Sequence, residues 1–186
     1  MHIRQALSLA AIGAALALAL LVAPRTAAAQ GSEASGIGVG VQAMLAAFDD
    51  DLQIAPDVFV PIPALAGPTV TYQTPKWHID GILSYGDNDF ITTLGLGGRF
   101  FYELHSTQAS DLSVGGGLGF MNVDFGDDSD TAILVEAGGK LRAFLAPSVA
   151  VNASVGIGYI TGLGDQDFIL FGGQLLGTIG ITYFFF

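Results

Sequence analysis

The chain has 186 residues, 26 glycines, no cysteine and only 12% charged side chains, with 17 acidic against 6 basic groups and a formal net charge of −11. The acidity excludes a nucleic-acid binder held by phosphate contacts. The absent cysteine excludes a disulfide framework, a thiolate metal site and a cysteine nucleophile, and 51% hydrophobic residues with so few charges exclude disorder.

Residues 1–29 differ from all that follow. His2 and Arg4 precede an apolar run from Ala6 to Ala23, then Pro24, Arg25 and the triplet Ala27-Ala28-Ala29. A charged start, an apolar core and a small-residue cleavage site read as a secretory signal peptide. An uncleaved anchor is the alternative, since 18 apolar residues suffice to span. Residues 30–186 then form a single domain. Its basic residues are Lys76, Arg99, Lys140 and Arg142, so its charge is 4 − 17 = −13.

That domain carries the two-residue period of strands, in which alternate side chains point to opposite faces. In 37–45, Ile37, Val39, Val41 and Leu45 alternate with glycines and Gln42. In 64–74 the pattern is weaker, with Val70 and Tyr72 between threonines and Gln73. Residues 77–85 set Trp77, Ile79, Leu83 and Tyr85 against His78, Asp80 and Ser84. Residues 90–104 set Phe90, Leu94, Leu96, Phe100, Tyr102 and Leu104 against Arg99 and Glu103. Leu112, Val114, Leu118 and Phe120 alternate with Ser113 and glycines. In 131–145 the odd positions are mostly aliphatic, while Glu136, Lys140 and Arg142 are even. Val149 to Tyr159 sets odd aliphatic residues against Asn152, Ser154 and glycines. In the last segment Ile169, Phe171, Leu175, Ile179, Ile181, Tyr183 and Phe185 share one parity.

These are eight strands. Pro75-Lys76, Ser106–Ser110 and Pro147-Ser148 supply tight turns at one end, and acidic connections alternate with them at the other. The pattern predicts an all-β chain: a closed antiparallel eight-stranded up-and-down transmembrane β-barrel. The polar parity is mostly Gly, Ser, Thr, Asn and Gln, which suits a crowded lumen. A water-facing surface would be dense in charge. The apolar parity is nearly pure Leu, Ile, Val, Phe and Tyr, as a lipid-facing band requires. Trp77, Tyr85, Phe90, Tyr102, Tyr159, Tyr183 and Phe185 fall near strand ends, where aromatic girdles sit.

The chain ends Thr178-Ile179-Gly180-Ile181-Thr182-Tyr183-Phe184-Phe185-Phe186. Thr178, Gly180, Ile181, Tyr183, Phe185 and Phe186 resemble the C-terminal assembly signal of Gram-negative outer-membrane proteins, a polar residue and a glycine followed by alternating apolar positions and a terminal phenylalanine. The three consecutive phenylalanines depart from that pattern. With the leader and the eight strands, the chain resembles the small OmpA/OmpX-type outer-membrane β-barrels. The resemblance implies an outer-membrane location, the barrel-assembly machinery as a partner during insertion, and a monomer among outer-membrane lipids and lipopolysaccharide.

Three groups of polar residues bear on function. On the inward parity, Asp80, Glu103 and Glu136 face Arg99, Lys140 and Arg142, which predicts a paired interior network, because unpaired charges in a narrow barrel are costly. His78, Asp80 and Ser84 with His105-Ser106 raise a hydrolase reading. But His78 and Ser84 lie six residues apart, roughly 20 Å along a strand, so no catalytic residue is assigned. Neither Gly95-Leu96-Gly97-Gly98 nor Gly115-Gly116-Gly117 precedes the Lys-Ser/Thr of a phosphate loop, and inward glycines read instead as close packing. Finally, Asp49, Asp50, Asp51, Asp57, Asp87, Asp89, Asp127, Asp128, Asp130, Asp165 and Asp167 gather in the four long connections. Their spacing matches no rigid calcium loop, so they predict an acidic rim attracting cations loosely. No metal or cofactor is expected. The function expected is structural or interactive, with at most a narrow pore. A lipid-modifying enzyme and a soluble periplasmic lipid-binding barrel are the alternatives.

Overall fold

The computed structural model describes residues 35–44, 52–55, 58–60, 65–87, 91–126, 128–163, 166–172 and 175–185. The expected leader, residues 1–29, lies outside the described residues. The strands are β1 (Gly36–Met44), β2 (Leu52–Ala55), β3 (Val58–Val60), β4 (Gly67–Gln73), β5 (Trp77–Asp87), β6 (Thr92–Ser106), β7 (Ser110–Asp124), β8 (Ser129–Ala146), β9 (Val149–Leu163), β10 (Gln166–Phe171) and β11 (Thr178–Phe185). Among the described residues β2 and β3 pair only with each other, within the first long connection. All other strands join one antiparallel sheet that closes on itself. β1 pairs with β4 (Ile37↔Tyr72) and across the seam with β11 (Ile37↔Phe185), while β9 joins β8 (Gly138↔Gly156) to β11 (Ala153↔Ile179). β10 continues the line of β11 along β9, so the two form a single interrupted stave. The fold is a closed antiparallel barrel of eight staves.

The short turns are built by local chemistry. Thr74 donates its backbone N–H to the Trp77 carbonyl at 2.9 Å, and its hydroxyl accepts the Trp77 N–H at 3.2 Å. Thr107 repeats this with Ser110, at 2.7 and 3.0 Å. A threonine hydroxyl thus satisfies the amide that a two- to three-residue turn leaves without a ladder partner.

Outward residues are apolar all round. Leu94, Leu96, Val114, Leu118, Val135 and Ile157 each expose about half of their surface. At the turn end, Trp77 lies 5.7 Å from Tyr72 and stacks on Phe100 at 6.1 Å, and Tyr183 meets Phe185 edge-on at 5.1 Å. Phe90 lies outside the described residues. An apolar band edged with aromatic rings around a sheet with its backbone paired is the exterior of a transmembrane barrel.

The eighth stave departs from the alternation. The chain leaves the ladder at Gly172, whose φ of +91° favours glycine, and rejoins it at Thr178. Leu175, expected on the outward parity with Ile169 and Phe171, is therefore fully buried, as is Leu176. Both side chains enter the lumen because the break frees this segment from the period of two.

The interior also differs from the uniformly polar packing expected. Its loop half is apolar. Ile82, Met121, Val123, Ala132, Leu134 and Ile160 line it, and Leu65, Leu175 and Leu176 fill it. A Cβ on Gly97 would lie 2.6 Å from Leu175 Cδ2, and one on Gly119 2.6 Å from Leu65 Cδ1. These two glycines are the floor that receives the inserted leucines. At the turn end Phe144, Ala150 and Phe184 form a second, smaller apolar cluster.

Candidate functional site

Between these apolar layers lies a belt of buried charge. Asp80 comes inward from β5, one position from the Gly81 that faces the same stretch of β6. Its Oδ2 accepts from Arg99 at 2.8 Å and from Lys140 Nζ at 2.7 Å, and its Oδ1 accepts from the Thr71 hydroxyl at 2.8 Å. Arg99 and Lys140 reach one carboxylate from β6 and β8 because all three strands direct these positions to the lumen. Arg99 also donates to Gln42 Oε1 at 2.7 Å, to the Leu175 carbonyl at 2.6 Å and to the Thr178 hydroxyl at 3.3 Å. The ring of Phe101 lies 5.7 Å from the Arg99 guanidinium and 5.1 Å from the Lys140 ammonium, within the range of cation–π attraction.

A second centre forms around Arg142 nearer the turns. Its Nε donates to both oxygens of Asp111, at 3.0 and 2.9 Å, its NH1 to Gln73 Oε1 at 2.8 Å, and its NH2 to Glu103 Oε1 at 2.8 Å. The guanidinium sits between the rings of Phe144 and Phe184, 5.7 and 6.0 Å from their centroids. A planar fork with five donors can take two carboxylates and an amide at once, which lysine cannot.

Glu136 stands at the loop side of the belt. Its two oxygens accept the backbone N–H groups of Leu175 (3.0 Å) and Leu176 (2.7 Å). With the Arg99 contact to the Leu175 carbonyl, it supplies polar partners to backbone that the strand break removes from the ladder.

The structure therefore brings five of the six sequence-derived interior charges into two ion-pair centres. Asp80 serves Arg99 and Lys140, and Glu103 serves Arg142. Glu136 meets the inserted backbone. Asp111 joins the second centre, 2.9 Å from Arg142. Its place beside a turn read as the start of a strand, and only its parity with Ser113 marked it as inward. Leu65, Leu175 and Leu176 were also missed as interior residues, while Gln42 and Gln73, placed on the inward parity, were not named as partners of the charges. The one available signal was the run Gly172-Gly173 amid the last apolar segment.

His78 is fully buried and stacks on Phe101 at 5.0 Å, and neither ring nitrogen has a hydrogen-bond partner among the described residues. Ser84 lies in the same strand toward the loops. Among the described residues no three His, Asp or Glu side chains group to hold a metal.

In the C-terminal segment Thr178 is buried against the Ser154 hydroxyl at 2.9 Å, and Gly180 packs against the Val41 carbonyl, which a Cβ would approach to 2.7 Å. Ile181, Tyr183 and Phe185 point outward, and Phe184 points in. Phe186 lies outside the described residues. Of the rim, Asp87 accepts from the Thr92 hydroxyl at 3.0 Å, Asp128 from the Ser129 N–H at 2.9 Å and Asp167 from the Tyr159 hydroxyl at 2.6 Å. Asp130 lies in β8, opposite Val123. Asp49, Asp50, Asp51, Asp57, Asp89, Asp127 and Asp165 lie outside the described residues.

No family model matches the chain, and no curated protein matches its sequence. Among solved structures the barrel is similar to that of Ail, the attachment invasion locus protein of Yersinia pestis. The two are 14% identical, the match covers 81% of this chain and 97% of that chain, and the TM-score is 0.36.

Proposed function

We propose that the protein is an integral outer-membrane barrel whose role is structural and interactive, and that it conducts little. The observation that carries this reading is the combination of an apolar exterior with a lumen closed by side chains. Arg142 with its partners, Phe144 and Phe184 occupy the turn end, and the inserted leucines occupy the loop half. The leader and the C-terminal signal support export and insertion by the barrel-assembly machinery, with the short turns in the periplasm and the acidic loops outside. Lipids and lipopolysaccharide are its surroundings, and a monomer is the expected form, because a closed barrel leaves no sheet edge seeking a partner. Asp87, Asp128 and Asp167 serve as local turn and strand partners, and the acidic rim draws divalent cations loosely. The reading is non-catalytic: His78 stacks on an aromatic ring away from solvent, and the Arg-carboxylate pairs are of the structural kind. Heat-modifiability tests it. The protein refolded in detergent should migrate as a compact band until boiled, and reconstitution into planar bilayers should give no large, stable conductance. Purification as a soluble monomer without detergent would overturn the reading.

A further inference from the structure

The lysines, arginines and histidines of residues 30–186 are Lys76, His78, Arg99, His105, Lys140 and Arg142. His78, Arg99, Lys140 and Arg142 are buried in the lumen. The two left on the surface stand side by side. Lys76 is exposed in the turn between β4 and β5, and its carbonyl accepts the Glu103 N–H at 2.9 Å. His105 is exposed on β6, two residues beyond Glu103, or roughly 7 Å along the strand. A bulge aims it. Glu103 pairs with Ser113, and His105 with the neighbouring Leu112, so Leu104 is the extra residue. Residues directly opposite in a ladder share a face, and Leu112 is outward. The bulge therefore sets both Leu104 and His105 on the outer face, where strict alternation would return His105 to the lumen.

Next to these two side chains, the outer faces of the same staves carry an aromatic platform. Tyr72 on β4 and Phe100 on β6 flank Trp77 on β5, with ring centroids 5.7 and 6.1 Å away, and Tyr102 is the ladder partner of Trp77. Tyr72, Phe100 and Tyr102 are exposed. The exposed carboxylates among the described residues, Asp87, Asp124, Asp128 and Asp167, lie at the opposite end of the barrel. Cationic groups thus edge an apolar, aromatic face at one end only. That arrangement complements a lipid whose anionic headgroup meets Lys76 and His105 while its chains lie along the rings.

We propose that Lys76 and His105, with Tyr72, Trp77, Phe100 and Tyr102, form a binding site for an acidic glycerophospholipid in the leaflet on the turn side. This rests on the membrane reading above and adds a lipid preference to it. Trp77 is the single tryptophan of the chain, so its fluorescence reads the site directly. The test uses residues 30–186 refolded in phosphatidylcholine vesicles that contain a minor fraction of lipid brominated on its acyl chains, which quenches a tryptophan it touches. Brominated phosphatidylglycerol should be enriched beside Trp77 about fivefold over brominated phosphatidylcholine. Lys76→Gln should bring that ratio close to one and His105→Gln should lower it in part, with the compact gel band retained in both. Millimolar inorganic phosphate at matched ionic strength should leave the ratio unchanged, and loss of the preference would assign the site to free phosphate and overturn the lipid. Equal quenching by the two brominated lipids would overturn the site and leave the membrane reading intact. A preference that survives both substitutions would overturn the assignment to Lys76 and His105. Quenching by neither lipid would overturn the membrane reading and the site together.

Discussion

The two halves of the lumen solve the same problem by opposite means. The turn half fills its space with long charged side chains from β5, β6 and β8, each tied to several partners, and every one of those strands runs unbroken through it. The loop half fills its space with leucines carried by segments that have left the sheet, laid over glycines that have no side chain to offer. Charge can bridge a lumen from wall to wall because the directional bonds of Arg and Lys reach several strands. Aliphatic side chains cannot, so the apolar half needs inserted backbone to bring them to the centre. The inserted backbone then needs polar partners of its own, which Arg99 and Glu136 supply from the boundary between the halves. The turn half is therefore tied together by charged side chains, and the loop half by backbone brought into the lumen.

Substitutions can separate the two strategies. The largest effect is expected in the charged half. Asp80→Ala leaves Arg99 and Lys140 buried without their shared carboxylate, and urea unfolding from vesicles should show a loss of about 3–5 kcal/mol. In the apolar half, Leu134→Ala should cost about 2–4 kcal/mol by the same measurement, because the lining collapses only partly around the void. Gly97→Ala places a methyl against Leu175 and should cost about 1–3 kcal/mol. Combining it with Leu175→Ala should recover part of that loss, a non-additivity diagnostic of direct contact. Additive costs would show that Leu175 does not rest on Gly97. The smallest effect belongs to Thr71→Val, which removes one of three donors to Asp80 at constant shape and should cost about 1 kcal/mol. An effect as large as that of Asp80→Ala would mean that the threonine, and not the two cations, holds the carboxylate.

Much of the architecture was legible in the sequence because a period of two leaves little choice of face. The parity that sets Arg99 and Glu103 against Leu96 and Phe100 is the parity that buries the first pair and exposes the second. The turns were legible for a similar reason, since Pro75 and Pro147 cannot continue a ladder. What escaped was everything governed by leaving the sheet. Leu175 carries the parity of Ile169 and Ile179, and periodicity assumes a continuous strand; nothing in it marks Leu175 and Leu176 turning inward. Leu65 ends a long connection in which no period holds. Ile82 and Leu134 sit on the parity of Asp80 and Glu136, and two aliphatic residues among polar ones did not outweigh the general impression of a polar interior. Within the charged belt, composition indicated pairing, but partner choice depends on the stagger between strands. That is why Asp111 joins Arg142 and why Glu136 turns to backbone amides.

The interrupted stave also has a consequence in time. Every pairing in the sheet except that of β1 with β11 joins strands adjacent along the chain or separated by one connection. The hairpins from β4 to β9 can form early, because the loops they close are short. Ile37↔Phe185 closes almost the entire chain, and non-local pairings of this kind are the slow steps of folding. Here that step need not be a single event. β10 shares β9 with β11, and among the described residues it pairs with no other strand, so it can zip onto its hairpin partner before the seam exists. β11 alone must then find β1, with eight residues of register to satisfy and Phe184 to seat beside Arg142. The break in the last stave thus divides the costly closing event into a local half and a distant half, and leaves only β11 to wait for the other end of the chain.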